Sequence, residues 1–227
     1  MPRLTVDPEV RALVTAAVVE SGRVRVGPAS ERLVEEIDRL CAGIRSSWGG
    51  RPPGEIEGLA PARRLFRAFG IDPTSTRPAS EALVRRVLQG RPFPRVNAAV
   101  EVCNLCSVTF LLPIGLYDAG KIRGDVTLRR GAAGESYAGI RKDAVSVAGR
   151  PVLEDDEGPF GNPSSDSLRT CVTEATEALF MVIFAPSDYP AAALEAHRVF
   201  AREAMERHLR DGNPPGGAVL DRKSGDP

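Results

Sequence analysis

Apolar residues recur every three or four positions in four stretches of the chain, and each stretch predicts a helix with one buried face. Leu33, Val34, Ile37, Leu40, Cys41 and Ile44 mark the first, with Ser30 as its cap and Gly49-Gly50 closing it after Trp48. A short basic helix follows over Ala62 to Phe69, stopped by Gly70. Another runs from about Ser80 to Gln89, with Leu83, Val84, Val87 and Leu88 inward and Gly90 as its stop. The fourth begins at Asn97, a natural N-cap, and carries Ala99, Val102, Cys103, Cys106 and Phe110 as a buried stripe until Leu112-Pro113 ends it. Asn97, Glu101 and Asn104 form a polar stripe on this helix, which carries Asn104 to its exposed or cleft-facing side.

Strand signals lie between and beyond the helices. After a turn over Gly115-Leu116-Tyr117-Asp118, Ile122, Gly124, Val126 and Leu128 share one face while Arg123, Asp125, Thr127 and Arg129 share the other. Ala144 to Ala148 and Pro151 to Leu153 read as two short strands around Gly149-Arg150, followed by an acidic turn from Glu154 to Gly158. Ala178 to Ala185 is continuously apolar, which suits a strand buried on both faces of a sheet. The run from Val10 to Val19 leaves helix and strand open. Asp188 is expected to cap a long helix through Leu209, and Gly212 to Pro227 is too rich in Pro, Gly and polar residues to pack. The pattern predicts an α+β fold, a mixed sheet core with packed helices. Its parts are an N-terminal helical extension over 1–58, a main domain over 59–211 and a disordered tail over 212–227.

Composition narrows the function. The 227 residues carry 30 basic and 30 acidic side chains, so a nucleic-acid partner would be met by a local basic patch and not by the field of the whole protein. One such asymmetry exists: Arg63, Arg64, Arg67, Arg77, Arg85, Arg86, Arg91 and Arg95 stand against only Asp72 and Glu81 between positions 63 and 95. It reads either as solvated helix faces or as a phosphate-binding surface. No apolar stretch approaches the ~20 residues of a membrane span, and MPRLTVDPEVR lacks the apolar core of a leader, so a cytoplasmic protein is expected.

Several chemistries fall away. Cys103 and Cys106 are neighbours, but mid-helix and without a second pair, so neither a redox dithiol nor a zinc site is expected, and all four cysteines read as reduced thiols. Both histidines, His197 and His208, sit in the last helix, far in sequence from any polar loop, which argues against a Ser-His or Cys-His nucleophile. No glycine-rich loop continues into Lys-Ser/Thr, so nucleotide hydrolysis is not expected and no cofactor or metal is implied. What remains is the loop FGNPSSDSLRT from Phe160 to Thr170. Its Ser164, Ser165, Asp166, Ser167, Arg169 and Thr170, with Thr173 beyond, either satisfy their own backbone or bind a small polar ligand and orient a water.

Pro94-Arg95-Val96-Asn97, Asn104, Leu112-Pro113, Tyr117-Asp118 and Lys121-Ile122-x-Gly124 follow one another in an order that resembles the B3/B4 tRNA-editing domain of the β subunit of bacterial phenylalanyl-tRNA synthetase. Gly158 to Phe184, with Val172, Thr173 and Thr176, is similar to the segment that ends in a central strand of that domain. Leu65-Phe66-Arg67-x-Phe69-Gly70-Ile71-Asp72-Pro73 and Arg77-Pro78-Ala79-Ser80 are closer still to free-standing proteins made of this domain alone. The resemblance spans roughly residues 60 to 185. It implies a hydrolase acting in trans on tRNA that carries the wrong amino acid, with tRNA or aminoacyl-tRNA as partner and neither DNA nor a membrane.

Carried over by position, Asn104 would contact the aminoacyl group and Ser167, Arg169, Thr170 and Thr173 would line the opposite wall, with Gly115, Tyr117 and Ser165 as further substrate-binding residues. Asp166 would be the base, Arg169 and the loop N–H groups the oxyanion donors, with Thr170 beside them. Arg63, Arg64, Arg67, Arg85, Arg86 and Arg95 would meet the tRNA. Gly115 stands where the family has a histidine and Leu168 near where it has a glutamate, so the resemblance implies an enlarged or less polar pocket. The competing reading is a non-catalytic module that binds tRNA or an amino-acid-like ligand with the same pocket. A third, a small-molecule enzyme on a borrowed fold, predicts activity indifferent to salt.

Overall fold

The computed structural model describes residues 2–140 and 142–210; the expected tail over 212–227 lies outside them. In chain order the elements are β1 (Leu4–Val6), β2 (Val14–Gly22), α1 (Glu31–Trp48), α2 (Ala60–Ala68), α3 (Ala79–Leu88), α4 (Ala98–Phe110), β3 (Ile114–Asp118), β4 (Val126–Arg130), β5 (Ser136–Gly139), β6 (Lys142–Ser146), β7 (Pro151–Asp155), β8 (Gly158–Asn162), β9 (Ser165–Asp166), β10 (Ala178–Pro186) and α5 (Ala191–Leu209). This is the expected α+β class.

β10 is the centre. It pairs antiparallel with β2 on one side and β3 on the other, Val182 lying opposite both Val18 and Gly115. Leu179, Met181, Ile183 and Ala185 face a helical layer of α1, α3, α4 and α5, while Phe180, Val182 and Phe184 face the second sheet. That sheet runs β1-β4-β7-β8-β9, with β1 parallel to β4 and the rest antiparallel. The result is helices, a three-stranded sheet and a five-stranded sheet in layers. Each of the fully buried Phe and Leu side chains between them contributes about 2 kcal/mol by leaving water.

Several elements differ from the sequence reading. The open run Val10–Val19 becomes turn up to Leu13 and strand from Val14: β10 is apolar on both faces and needs a neighbour on each edge, and β2 supplies one with nine paired residues. The N-terminal extension therefore contributes strands as well as the helix α1. The expected turn over Gly115–Asp118 is strand β3, because its backbone groups pair with β10. The strand expected from Ile122 begins only at Val126, after a 3₁₀ turn over Ala119–Lys121 whose cap is Asp118, accepting from Gly120 N–H at 3.0 Å. β6 and β7 exist near the expected places but do not pair with each other; β6 pairs with β5 and β7 with β4 and β8. Asp188 does not cap α5, whose cap position is Pro190; it is held instead by Arg64 at 3.3 Å.

α4 keeps its cap, Asn97 Oδ1 accepting from Val100 N–H at 2.9 Å. Its expected polar stripe is broken, since Glu101 is buried and bound by Arg95 at 2.6 Å. α4 is packed by helices and sheet on nearly every side, so a carboxylate on it needs a cation brought in from the chain before it. Asn104 stays half-buried. Among the described residues no helix is long and apolar enough to cross a membrane.

Candidate functional site

The β8–β9 hairpin carries the polar loop to the edge of β3 and the flank of α4. Asn162 shapes its tip: Oδ1 accepts from Ser164 N–H at 2.7 Å and Ser165 N–H at 3.1 Å, an Asx turn. Asn162 Nδ2 donates to the Tyr137 hydroxyl at 2.8 Å, and that hydroxyl donates to the Ser165 carbonyl. Tyr137 reaches in from β5, 25 residues earlier than Asn162. Nothing in its sequence surroundings marks it as part of the loop.

This arrangement sets Ser164 in the wall of an open cleft of about 600 Å³ that Asn104 also lines. The opposite wall is cationic, formed by Arg77, Arg85, Arg86 and Arg91 with Leu83 and Pro94 between them. α3 presents Arg85 and Arg86 because its other face, with Val84 and Val87, is buried against α1 and α4. Arg91 is exposed in the link that follows.

Not every expected arginine belongs to this wall. Arg63 closes a two-pronged bond on the buried carboxylate of Glu81, 2.7 Å on each arm, and Arg77 approaches the same group at 3.5 Å. Arg95 is held by Glu101 and reaches toward Asp38 at 3.6 Å. Arg64 pairs with Asp188, and Arg64 and Arg67 line a separate depression beside Leu13 and Ser187. The predicted set of six splits: Arg85 and Arg86 face the cleft, Arg63 and Arg95 neutralise buried acids, and Arg64 and Arg67 lie elsewhere.

Further along the same loop, the half-buried Asp166 meets the Leu116 N–H and the Tyr117 hydroxyl. Burial pushes its carboxyl up to about 7, and those two donors only partly oppose the rise. Tyr117 itself is fully buried and its hydroxyl has no well-formed hydrogen bond, so Asp166 faces the phenol loosely. Burial also raises the Tyr117 phenol and the Cys103 thiol well above their ordinary ranges. An acid titrating near neutrality is suited to accept a proton from water.

Gly115 does not enlarge a pocket. A Cβ on Gly115 would lie 2.6 Å from Cζ of Tyr117, and one on Gly161 of β8 would lie 2.6 Å from the same atom. The space opened by two glycines is filled by the chain's own phenol, whose ring stands edge-on to Phe160 at 5.0 Å.

The other expected catalytic groups are tied up. Arg169 Nη2 donates to Asp155 Oδ1 at 2.7 Å and Nη1 to Oδ2 at 3.0 Å, with Glu157 and the Lys121 carbonyl as further partners. Burial works to raise the Asp155 carboxyl, but Arg169 and the Arg123 and Glu157 N–H groups outweigh it and hold it below the usual range. Arg169 is thus turned to the β7–β8 turn and away from the cleft. Thr170 is buried, its hydroxyl 2.9 Å from that of Ser167, also buried, while its N–H donates to Ser167 Oγ. Both close the loop on itself. Thr173 is exposed on the following turn, where its N–H donates to Thr176 Oγ1 at 3.0 Å, and Thr176 in turn donates to Asp118 at 2.7 Å. Of the predicted residues, the structure brings Asn104, Arg85 and Arg86 to the cleft, while Ser165 and Asp166 follow Ser164 on β9.

The remaining candidates stay structural. Cys103 and Cys106 are buried in the helical layer, and burial pushes the Cys106 thiol up to about 12. His197 stacks on Phe110 at 4.3 Å and His208 bonds Glu36 at 2.9 Å.

The fold is a layered α+β domain with an arginine-walled cleft whose polar loop also carries the half-buried Asp166. The B3/4 domain family model matches residues 61–213, and the chain belongs to that family. Over 65 residues it is 29% identical to the phenylalanine–tRNA ligase β subunit of Paramagnetospirillum magneticum, a stretch covering 28% of this chain and 8% of that protein. A solved N-terminal fragment of the phenylalanyl-tRNA synthetase β subunit from Pyrococcus horikoshii superposes with a TM-score of 0.44 at 14% identity, over 89% of this chain and 48% of that one.

Proposed function

We propose that this chain binds the charged end of tRNA in the Asn104–Ser164 cleft and hydrolyses the ester of a wrongly attached amino acid. The observation that carries this reading is the meeting of an arginine wall with a polar loop in one open cleft, the same loop carrying, two residues on from Ser164, the Asp166 carboxyl that burial lifts to about 7. The arginines suit phosphates, and Asn104, Ser164 and Ser165 suit the ribose and the ester. Asp166 takes the proton of an attacking water. With Arg169 and Thr170 engaged elsewhere, the oxyanion donors are Asn104 Nδ2 and the serine hydroxyls of the loop. An aminoacyl ester is already activated, so positioning and a few kcal/mol of such stabilisation suffice.

The engagement of Arg169 favours a second reading, a binder that holds tRNA without cleaving it. Purified protein incubated with a panel of correctly and incorrectly charged tRNAs, at two salt concentrations, separates the two. Release of amino acid from a few mischarged species, weakening as salt rises, is the expected result. Intact tRNA binding with no release sinks the hydrolase.

A further inference from the structure

We infer that Arg77 and Arg86 are the phosphate seats of this cleft: each is anchored through its Nε with no hydrogen bond at its Nη groups, whereas Arg85 and Arg91 supply charge alone. The inference rests on the proposed function, since it names the groups that receive the phosphates of the ligand. All four arginines line the cleft together with Asn104 and Ser164, and no acidic side chain is among the described residues that line it. Arg85 and Arg91 are exposed, and their side chains have no partner among the described residues. Arg77 and Arg86 are half-buried and tethered.

The two tethers differ. Arg77 Nε lies 3.5 Å from Glu81 Oε1 and is buried without a well-formed hydrogen bond, because Arg63 already takes both oxygens of that carboxylate at 2.7 Å. Two guanidiniums thus share one carboxylate, and of the two it is Arg77 that lines the cleft. Arg86 is held by the chain that follows α3. Gly90, at a φ of 69°, reverses that chain, Arg91 N–H donates to the Arg86 carbonyl at 3.1 Å, and Arg86 Nε donates to the Pro92 carbonyl at 2.5 Å. A planar fork ordered in advance loses little freedom on binding and can offer two N–H groups to one phosphate, whereas a freely moving side chain offers charge without that geometry. Two such forks in one open cleft of about 600 Å³ suit a ligand with repeated anionic groups, which a nucleic-acid backbone is and a single carboxylate is not.

The test uses the full chain, with uncharged tRNA as one probe and inorganic phosphate as the other. Arg77→Lys and Arg86→Lys keep the charge and remove the fork, and each should weaken the affinity for tRNA about tenfold. Arg85→Lys and Arg91→Lys should stay within about twofold of the wild type, because the charge they supply is preserved. Equal losses at all four positions, or a loss at none, overturn the inference, since a diffuse field does not tell lysine from arginine. Inorganic phosphate tests the seats without tRNA and without any variant that fails to fold. In an NMR titration of the wild type, the Nε–Hε signals of Arg77 and Arg86 should move while those of Arg85 and Arg91 stay in place. Movement of the first pair with no binding of tRNA upholds the seats and removes the tRNA reading. Signals of Arg77 and Arg86 that do not respond to phosphate overturn the inference.

Discussion

Arg169 and Asp155 face each other across the base of the β7–β8 turn, joined by two bonds of 2.7 and 3.0 Å. The Asp155 side chain is fully buried, so the guanidinium is its counter-charge and is not available to a substrate. Removing one member of such a pair strands the other. Arg169→Ala is expected to cost about 3 kcal/mol, read as a fall in denaturant midpoint, by leaving a buried carboxylate without its counter-charge and with only the Arg123 and Glu157 N–H groups as partners. Unchanged stability with lost hydrolysis would return Arg169 to the catalytic site.

Glu81 and Arg63 repeat the relationship on the helical side, with the Glu81 side chain 3% exposed. Arg63→Ala should unfold more easily by several kcal/mol, about the amount for a broken buried pair. Arg85→Ala with Arg91→Ala should leave the melting temperature within a degree or two but weaken tRNA binding. Their loss should also flatten the plot of log affinity against log salt by about one unit for each phosphate contact removed. Equal salt slopes for wild type and the double variant would place the tRNA elsewhere.

Asp166 makes stability depend on pH with an unusual sign. Its carboxyl titrates near 7 in the folded protein, against 3.8 ordinarily, so the folded state holds a proton that the unfolded chain has lost between those values. Stability from this group therefore falls as pH rises from about 4 to about 7, by on the order of 3 kcal/mol. Tyr117, Tyr137 and Cys103, the groups coupled to it, keep their protons through this range because burial raises all three. Asp166→Asn should be more stable than the wild type at pH 8 and close to it at pH 5, measured by urea unfolding at both values. Identical pH dependence in the two proteins would show that the carboxyl is not desolvated.

The same group sets the expected rate profile. A base must be ionised, so deacylation should rise with pH to a plateau above about 7, and Asp166→Asn should lose most of the rate along with that rise. A profile that is flat from pH 5 to 8 would exclude Asp166 as the base.

Gly161→Ala tests the packing around Tyr117 without touching a charge. The added methyl meets the Tyr117 ring, whose atoms are hemmed by Phe160 and β3, so a loss of about 1–3 kcal/mol is expected from overpacking. The double change Gly161→Ala with Tyr117→Leu should recover part of it, read by thermal unfolding.

The sequence by itself determined the helices, because periodicity, caps and glycine stops act over a few residues. Ser30, Asn97, Gly70 and Gly90 all stand where the pattern puts them, and the two-faced strand at β10 was legible from its unbroken apolar run. The arginine excess and the polar loop were legible too, as composition. Tertiary structure alone decided which charges are free. Arg63, Arg95 and Arg169 look like Arg85 in sequence, yet each meets a buried acid brought from 18, 6 or 14 residues away. It also turned Val14–Gly22 and Gly115–Asp118 into strands, since an edge becomes a strand only when a neighbour offers its hydrogen bonds. The glycine at 115, which on its own suggests room for a ligand, proved to make room for Tyr117, because a vacancy is a property of everything that surrounds it.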